Sequence, residues 1–318
     1  MTAFLSHLAP ELDAFLTFKR AMGHPYCRAE FTLHDFDRFA LAHARRHRPF
    51  RMEEAILAWL ASKPARKAVS VTVELGVVRQ FCLHRRRRDP AAFVPGRVWA
   101  PQSTKSEFLP FVFTQAQVVD LMQRAGSFDG PSCRGVVLRA LLLVLYCTGL
   151  RVGEALRLRI KDVHIRDAVM FIAESKGRAR WVPFDRSLAR QLDRYLAKRS
   201  AYATAGPDDL FFVGRRGQPL LTKRASDAIR ALLRAARLKP PAGRIGPRPY
   251  DFRHTFAVHR LTRWYRAGVD VHARLPWLSA YMGHDDILGT ETYLTATPEL
   301  LAIASDRFER HLARRTNR

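Results

Sequence analysis

The sequence predicts a mainly α protein in two parts: a small all-α domain, then a larger, mostly α domain holding a small antiparallel β-sheet. Three observations predict it. Apolar residues recur at helical spacing through the first ninety positions and again from Thr114 onward. A proline-rich stretch without periodicity, residues 91–110, separates the two regions. Beyond it, "AVMFIAESKGRARWVPF" alternates apolar and polar residues around a Lys-Gly turn, the pattern of a β-hairpin. At 318 residues, 47% of them hydrophobic, the chain is long enough for two ordinary cores.

Taken in order, "LAPELDAFLTFKRAMG" has a helical apolar stripe ending at Gly23, and "TLHDFDRFALAHARRH" opens at a potential cap, Thr32, and ends basic, as suits a helix C-terminus. "MEEAILAWLAS" and the Val-rich "KAVSVTVELGVVRQFCLHRRRR" supply two more helices. These four make a domain over residues 1–92, with a linker at 93–110 and the second domain at 111–318. "FTQAQVVDLMQRAG" runs from an N-cap at Thr114 to Gly126. "RGVVLRALLLVLYCTGLRVGEALRLRIKDVHI" reads as an apolar helix, a break at Thr148-Gly149 and an amphipathic helix. After the hairpin, the chain from Ser187 is expected to be mainly helical apart from "KPPAGRIGPRPY", and "TPELLAIASDRFERHL" forms a last amphipathic helix beginning near Thr297-Pro298.

The 54 Lys and Arg against 29 Asp and Glu give a formal charge of +25 and a pI near 11, which points to a polyanionic partner, nucleic acid first. Residues 1–110 carry +8 and residues 111–318 the remaining +17. A merely solvated arginine-rich surface has the same composition, and the salt dependence of DNA binding separates the two. Four scattered cysteines, Cys27, Cys82, Cys133 and Cys147, include no Cys-x-x-Cys pair and suggest neither a zinc site nor a disulfide framework. The start "MTAFLSHLAPELDAFL" has no basic leader region, and the run "ALLLVLYC" is far too short to span a bilayer. A cytoplasmic, DNA-associated protein without a membrane partner is expected.

Four stretches carry the chemistry: "CTGLRVGEALRL" with Arg151, "SKGRARWVPF" with Lys176, "RPYDFRHTFAVHRL" with Tyr250, Arg253 and His254, and "GHDDILGTETYL" with His284 and, nine residues later, Tyr293. Attack on a phosphodiester by a protein nucleophile needs cations on the non-bridging oxygens. Arginine suits that task because its planar, permanently charged guanidinium forms paired hydrogen bonds that lysine cannot reproduce. Arg151 follows the helix break, near a helix N-terminus where backbone donors also favour an anion; it could alternatively pair with Glu154. Lys176 lies in the hairpin turn. His254 reads as a packing or hydrogen-bonding residue.

In this order the set resembles the tyrosine recombinase (phage integrase) family, over roughly residues 110–315 and more weakly the N-terminal domain. The resemblance implies a SAM-like, helical core-binding domain that closes with the catalytic domain round double-stranded DNA. It implies that Tyr293 attacks phosphorus to leave a 3′-phosphotyrosyl link, that Arg151, Arg253 and His284 bind the phosphate, and that Lys176 protonates the leaving 5′ oxygen. The family's turn usually has one more residue after this lysine, so Arg178 and Arg180 are nearby substitutes and candidate DNA contacts. Tyr250 stands where the family usually has His or Lys. With an ordinary pKa near 10 it is a poor base but a good donor, so it is expected to bind phosphate or orient the nucleophile.

Arg85, Arg86, Arg87 and Arg88 form a basic helix end that is either solvated or on phosphate. No cofactor and no metal is expected, since exchange of one phosphate ester for another needs neither ATP nor metal and "GHDD" lacks further ligands. The family assembles tetramers on paired sites, sometimes with sister recombinases, and the last helix is expected to dock on a neighbouring subunit. Two rivals remain at this point: a type IB topoisomerase-like enzyme, and an accessory DNA-binding protein whose site has decayed at Tyr250.

Overall fold

The computed structural model describes residues 3–64, 66–99, 110–128, 134–173, 179–243, 245–284, 288–291 and 293–294, together with 302–303, 305–306 and 308–309, which are helical. The chain divides into two compact units, Met1–Glu107 and Phe108–Arg318. The architecture is mainly α with one small antiparallel sheet.

The first unit packs α1 (Ala9–Ala21), α2 (Cys27–Arg46), α3 (Met52–Ala61) and α4 (Ala68–Arg86). Residues three and four apart supply its core: Leu12, Phe15 and Leu16; Leu33, Phe36 and Ala40; Ile56 and Trp59; Leu75, Val78, Phe81 and Cys82. Helix α2 begins five residues before Thr32, which therefore lies inside it; Tyr26 occupies the N-cap in a left-handed conformation without a side-chain cap. The Val-rich start of α4 is helical although Val69 and Val73 are exposed; the helix is held by the packing of Leu75, Val78, Phe81 and Cys82 farther along. Phe93, Val94 and Trp99 pack against this core, so residues 93–99 are folded onto the first unit.

In the second unit α5 (Gln115–Gly126) begins at Thr114, whose side chain and that of Gln117 form a reciprocal capping box. Helix α6 (Gly135–Thr148) has buried positions nearly all round its axis and forms the centre of the larger core. It ends at Gly149 in the left-handed conformation, φ 65°, and a Cβ there would lie 2.4 Å from the Phe256 ring. Backbone angle and close packing thus both call for glycine. Helix α7 (Val152–Arg157) follows immediately.

The sheet holds β1 (Val163–His164), β2 (Val169–Ile172) and β3 (Arg180–Pro183) in that order, antiparallel, with Phe171 opposite Trp181. Only the β2–β3 hairpin was legible from alternation; two-residue β1 is too short for a pattern. Helices α8 (Arg186–Arg199), α9 (Thr222–Ala235), α10 (Asp251–Arg266), α11 (Val271–Met282) and α12 (Leu288–Glu291) complete the unit. Residues 200–221, expected within a mainly helical region, are turns instead. Buried Arg199 holds them by donating to the carbonyls of Thr204 and Leu210, and Phe211 and Phe212 plug into the core. A second cluster joins Phe256, Val258 and Leu261 of α10 to Leu275, Leu278 and Met282 of α11, and includes the ring of Tyr293. No described helix is long and apolar enough to cross a membrane.

Candidate active site

The break between α6 and α7 sets Arg151 at the N-cap of α7. Its Nη1 donates to Glu154 Oε1 at 2.8 Å, its backbone N–H donates to Glu154 Oε2 at 3.0 Å, and its Nη2 donates to the Gly283 carbonyl at 3.2 Å. The pairing with Glu154 and the approach to the His284 segment therefore coexist. Glu154 is buried, and its carboxylate also accepts from Arg180 Nη2 at 3.0 Å. One buried negative charge thus fixes two guanidinium groups, one from its own helix start and one from a strand 26 residues downstream of it.

Arg253, in the first turn of α10, is 1% exposed. It donates from Nη1 to the Gly149 carbonyl and from Nη2 to the Met282 carbonyl, both at 2.7 Å. Burial lowers its pKa, yet a guanidinium remains charged in a protein. Arg180 Nε donates to the Tyr281 carbonyl at 2.9 Å. The last carbonyls of α11 and its cap, at Tyr281, Met282 and Gly283, therefore each hold a different arginine: 180, 253 and 151. These are the orphan acceptors at the negative end of a helix, the place where cations are favoured. Gly283 has φ 68°, and a Cβ there would lie 2.7 Å from the Arg180 guanidinium carbon, so only glycine lets the chain turn against that cation.

From this anchored end the chain passes His284, whose Nδ1 lies 2.6 Å from Thr290 Oγ1, and reaches Tyr293. The Tyr293 hydroxyl lies 3.1 Å from His254 Nδ1, and its ring stands parallel to that of His284 with centroids 6.3 Å apart. Burial pushes the phenol up to about 12; the nearby charge of Arg253, and more weakly that of Arg151, opposes the rise. The charges of both arginines thus reach the Tyr293 oxygen.

Tyr250 occupies the N-cap position of α10, 39% exposed, with its ring edge-on to His254 at 4.9 Å. The structure brings together Arg151, Arg253, Tyr250, His284 and Tyr293. Lys176 and Arg178 lie outside the described residues. Arg180 was expected as a DNA contact or a stand-in for Lys176. Its side chain is instead 10% exposed and held by Glu154 and Tyr281, so it supports the site from within. In the first unit Arg85 pairs with Glu11, Arg86 donates to the Ala92 carbonyl and Arg87 lies over the Phe18 ring. Arg86, Arg87 and Arg88 are exposed, whereas Arg85 is half-buried.

Two participants carried little sequence signal. His254 was read as a packing or hydrogen-bonding residue, and the bond it makes goes to the Tyr293 phenol. Its spacing, four residues after Tyr250, was the available clue, because it puts both rings on one helix face. Glu154 was visible as a neighbour of Arg151 but not as the partner of Arg180. Among the described residues no three His, Cys, Asp or Glu side chains converge as a metal site would require.

A sequence model described as the phage integrase family matches residues 112–299. The chain is 31% identical over 322 residues to the putative integrase/recombinase y4rB of Sinorhizobium fredii, covering 98% of this chain and all of that one. Among solved structures it is similar in fold to the XerH site-specific recombinase bound to a palindromic difH substrate, with a TM-score of 0.67 at 16% identity, covering 87% of this chain and 78% of that one. It is likewise similar to the Tn1549 transposon integrase in complex with a circular intermediate DNA, with a TM-score of 0.65 at 16% identity over 94% and 99% of the two chains. The family match spans more than half of the chain, and with the end-to-end likeness to y4rB it makes this protein a member of the phage integrase family, the tyrosine recombinases.

Proposed function

We propose that this protein is a site-specific DNA recombinase or integrase serving a mobile element, and that it cuts and rejoins duplex DNA through a 3′-phosphotyrosyl link on Tyr293. The observation that carries the reading is one buried phenol 3.1 Å from His254 Nδ1, beside the ring of His284 and within reach of the charges of Arg253 and Arg151. Arg151 and Arg253 neutralise the non-bridging oxygens of the scissile phosphate, and His284 donates to the same phosphate as charge develops on it. Tyr250, edge-on to His254, adds a donor at the rim. Lys176, in the hairpin turn, delivers the proton to the leaving 5′ oxygen. Because a phosphodiester is exchanged for a phosphotyrosyl diester, the step is reversible and uses neither ATP nor a metal.

The partner is double-stranded DNA, reached mainly through phosphate contacts to which exposed Arg86, Arg87 and Arg88 contribute. A nicked suicide duplex, which loses a short fragment after cleavage, tests the reading. The wild-type protein is expected to leave an SDS-stable adduct whose digested peptide contains Tyr293, and Tyr293→Phe is expected to leave none. An adduct that persists in Tyr293→Phe would refute the assignment.

The working assembly is a homotetramer on two paired sites, with or without a sister recombinase, built by docking the C-terminal segment on a neighbouring copy. Two features support this reading. A cavity of about 680 Å³ in the second unit is lined by Val112, Tyr146 and Phe256 among others, and the C-terminal segment carries the apolar residues Leu300, Leu301, Ile303 and Phe308. Removing residues 298–318 is expected to leave DNA binding within about threefold while abolishing paired-site complexes. Unchanged recombination by the truncated chain would count against docking.

A further inference from the structure

We propose that His254 accepts the phenolic proton of Tyr293 as that oxygen attacks phosphorus, the task for which Tyr250 is chemically unsuited. The inference rests on Tyr293 being the nucleophile. The geometry is direct: His254 Nδ1 lies 3.1 Å from the Tyr293 hydroxyl, hydrogen-bond distance to the atom that must lose a proton. The ring is held on every side. Its Nε2 lies 3.8 Å from Oδ1 of Asp251, one helical turn earlier. That carboxylate is itself buried and fixed by the backbone N–H of Arg248 at 2.6 Å and by the Arg248 guanidinium at 3.3 Å. Tyr250 closes the ring edge. The Asp251 carboxylate favours the tautomer with the proton on Nε2, which leaves the Nδ1 lone pair toward the phenol.

The charged and titratable groups facing His254 are Asp251, Arg248, Arg253, His284, Tyr250 and Tyr293. Burial, with Arg248, Arg253 and His284, pulls its pKa down to about 4, so the ring is neutral and able to accept at physiological pH. In the resting pair the proton stays on the phenol. Once the phosphate enters, its negative charge offsets the cations that depress the imidazole. As the Oη–P bond forms, the phenolic oxygen becomes an ester oxygen and its proton moves to Nδ1. The P–O5′ bond breaks at the same time, and the 5′ oxygen takes a proton from the acid of the hairpin turn. In rejoining, both transfers reverse, so no redox partner or further reactant is needed.

The test compares wild type, His254→Gln and His254→Ala in single-turnover adduct formation on the suicide duplex, with DNA binding measured by gel shift as the check on folding. His254→Gln retains a hydrogen-bonding amide but no basic nitrogen. Both variants are expected to be slower by on the order of a hundredfold near neutral pH. The deficit should shrink by roughly tenfold for each unit of rising pH, because a phenol near 12 must then ionise to hydroxide. A positioning role alone would give a deficit independent of pH, and that result, or a rate within about threefold of wild type, would overturn the proposal. In the unaltered protein, ¹⁵N NMR should find the ring proton of His254 on Nε2; a proton on Nδ1 would overturn the proposal without any variant. Failure of the underlying reading looks different, since it requires an adduct that survives in Tyr293→Phe.

Discussion

Arg253→Ala is expected to lower stability by about 2–5 kcal/mol and to slow SDS-stable adduct formation by more than about a thousandfold. The stability loss follows from what the side chain holds. Gly149 closes α6 and Met282 closes α11, and each offers a carbonyl to one Arg253 nitrogen at 2.7 Å in a 1% exposed setting. Truncation strands both acceptors and opens a cavity the size of an arginine. The kinetic loss follows separately from charge, because Arg253 is the largest favourable influence on the Tyr293 phenol. Arg253→Lys separates the two effects. It keeps a cation but cannot reach two carbonyls at once, so most of the stability loss and at least a hundredfold of the rate loss should remain. Chemical denaturation and single-turnover cleavage measure the two, and a lysine variant with wild-type rate would show that a point charge suffices.

Glu154→Gln is the second large expected effect. The carboxylate is buried and joins Arg151 to Arg180, so neutralising it leaves two guanidinium groups facing each other with no counter-charge. Breaking a buried pair of this kind costs about 3–5 kcal/mol. Adduct formation should fall with it, because Arg151 loses its orientation. DNA affinity, by contrast, should hold or rise, since the variant carries one more net positive charge and the phosphate contacts away from Arg151 are untouched. The cross-check is Glu154→Gln combined with Arg180→Met. Removing the orphaned cation should return part of the lost stability, giving a double-mutant cycle far from additive. Additive losses would mean that the two side chains are not coupled.

These two residues also mark where the sequence stopped speaking. The helices of both units, the capping box at Thr114, the hairpin and the order of Arg151, Arg253, His284 and Tyr293 all leave local traces: a 3.6-residue period, a cap, an alternation, a spacing. Arg180 leaves none of its role. In a basic turn region it looks like a phosphate contact, and only the meeting of β3 with α7 and α11 turns it inward to Glu154 and the Tyr281 carbonyl. His254 was hidden for the same reason, since its partner lies 39 residues downstream. Residues 200–221 differ: they carry turn formers of their own at Gly206-Pro207, Gly214, Gly217 and Pro219, and the carbonyls held by Arg199, together with the Phe211-Phe212 plug, fix those turns.

The three carbonyls at the end of α11 carry a consequence for how the site tolerates change. Each guanidinium is tethered to the same few atoms of backbone, so the cations behave as one tripod rather than as three ligands that drift separately. A distortion that unwinds this helix end would scatter all three, whereas one that merely tilts the helix would carry them along in register. Substitutions within α11 that touch no substrate should therefore act in an all-or-none way on catalysis, with few partly active intermediates between an intact tripod and a collapsed one.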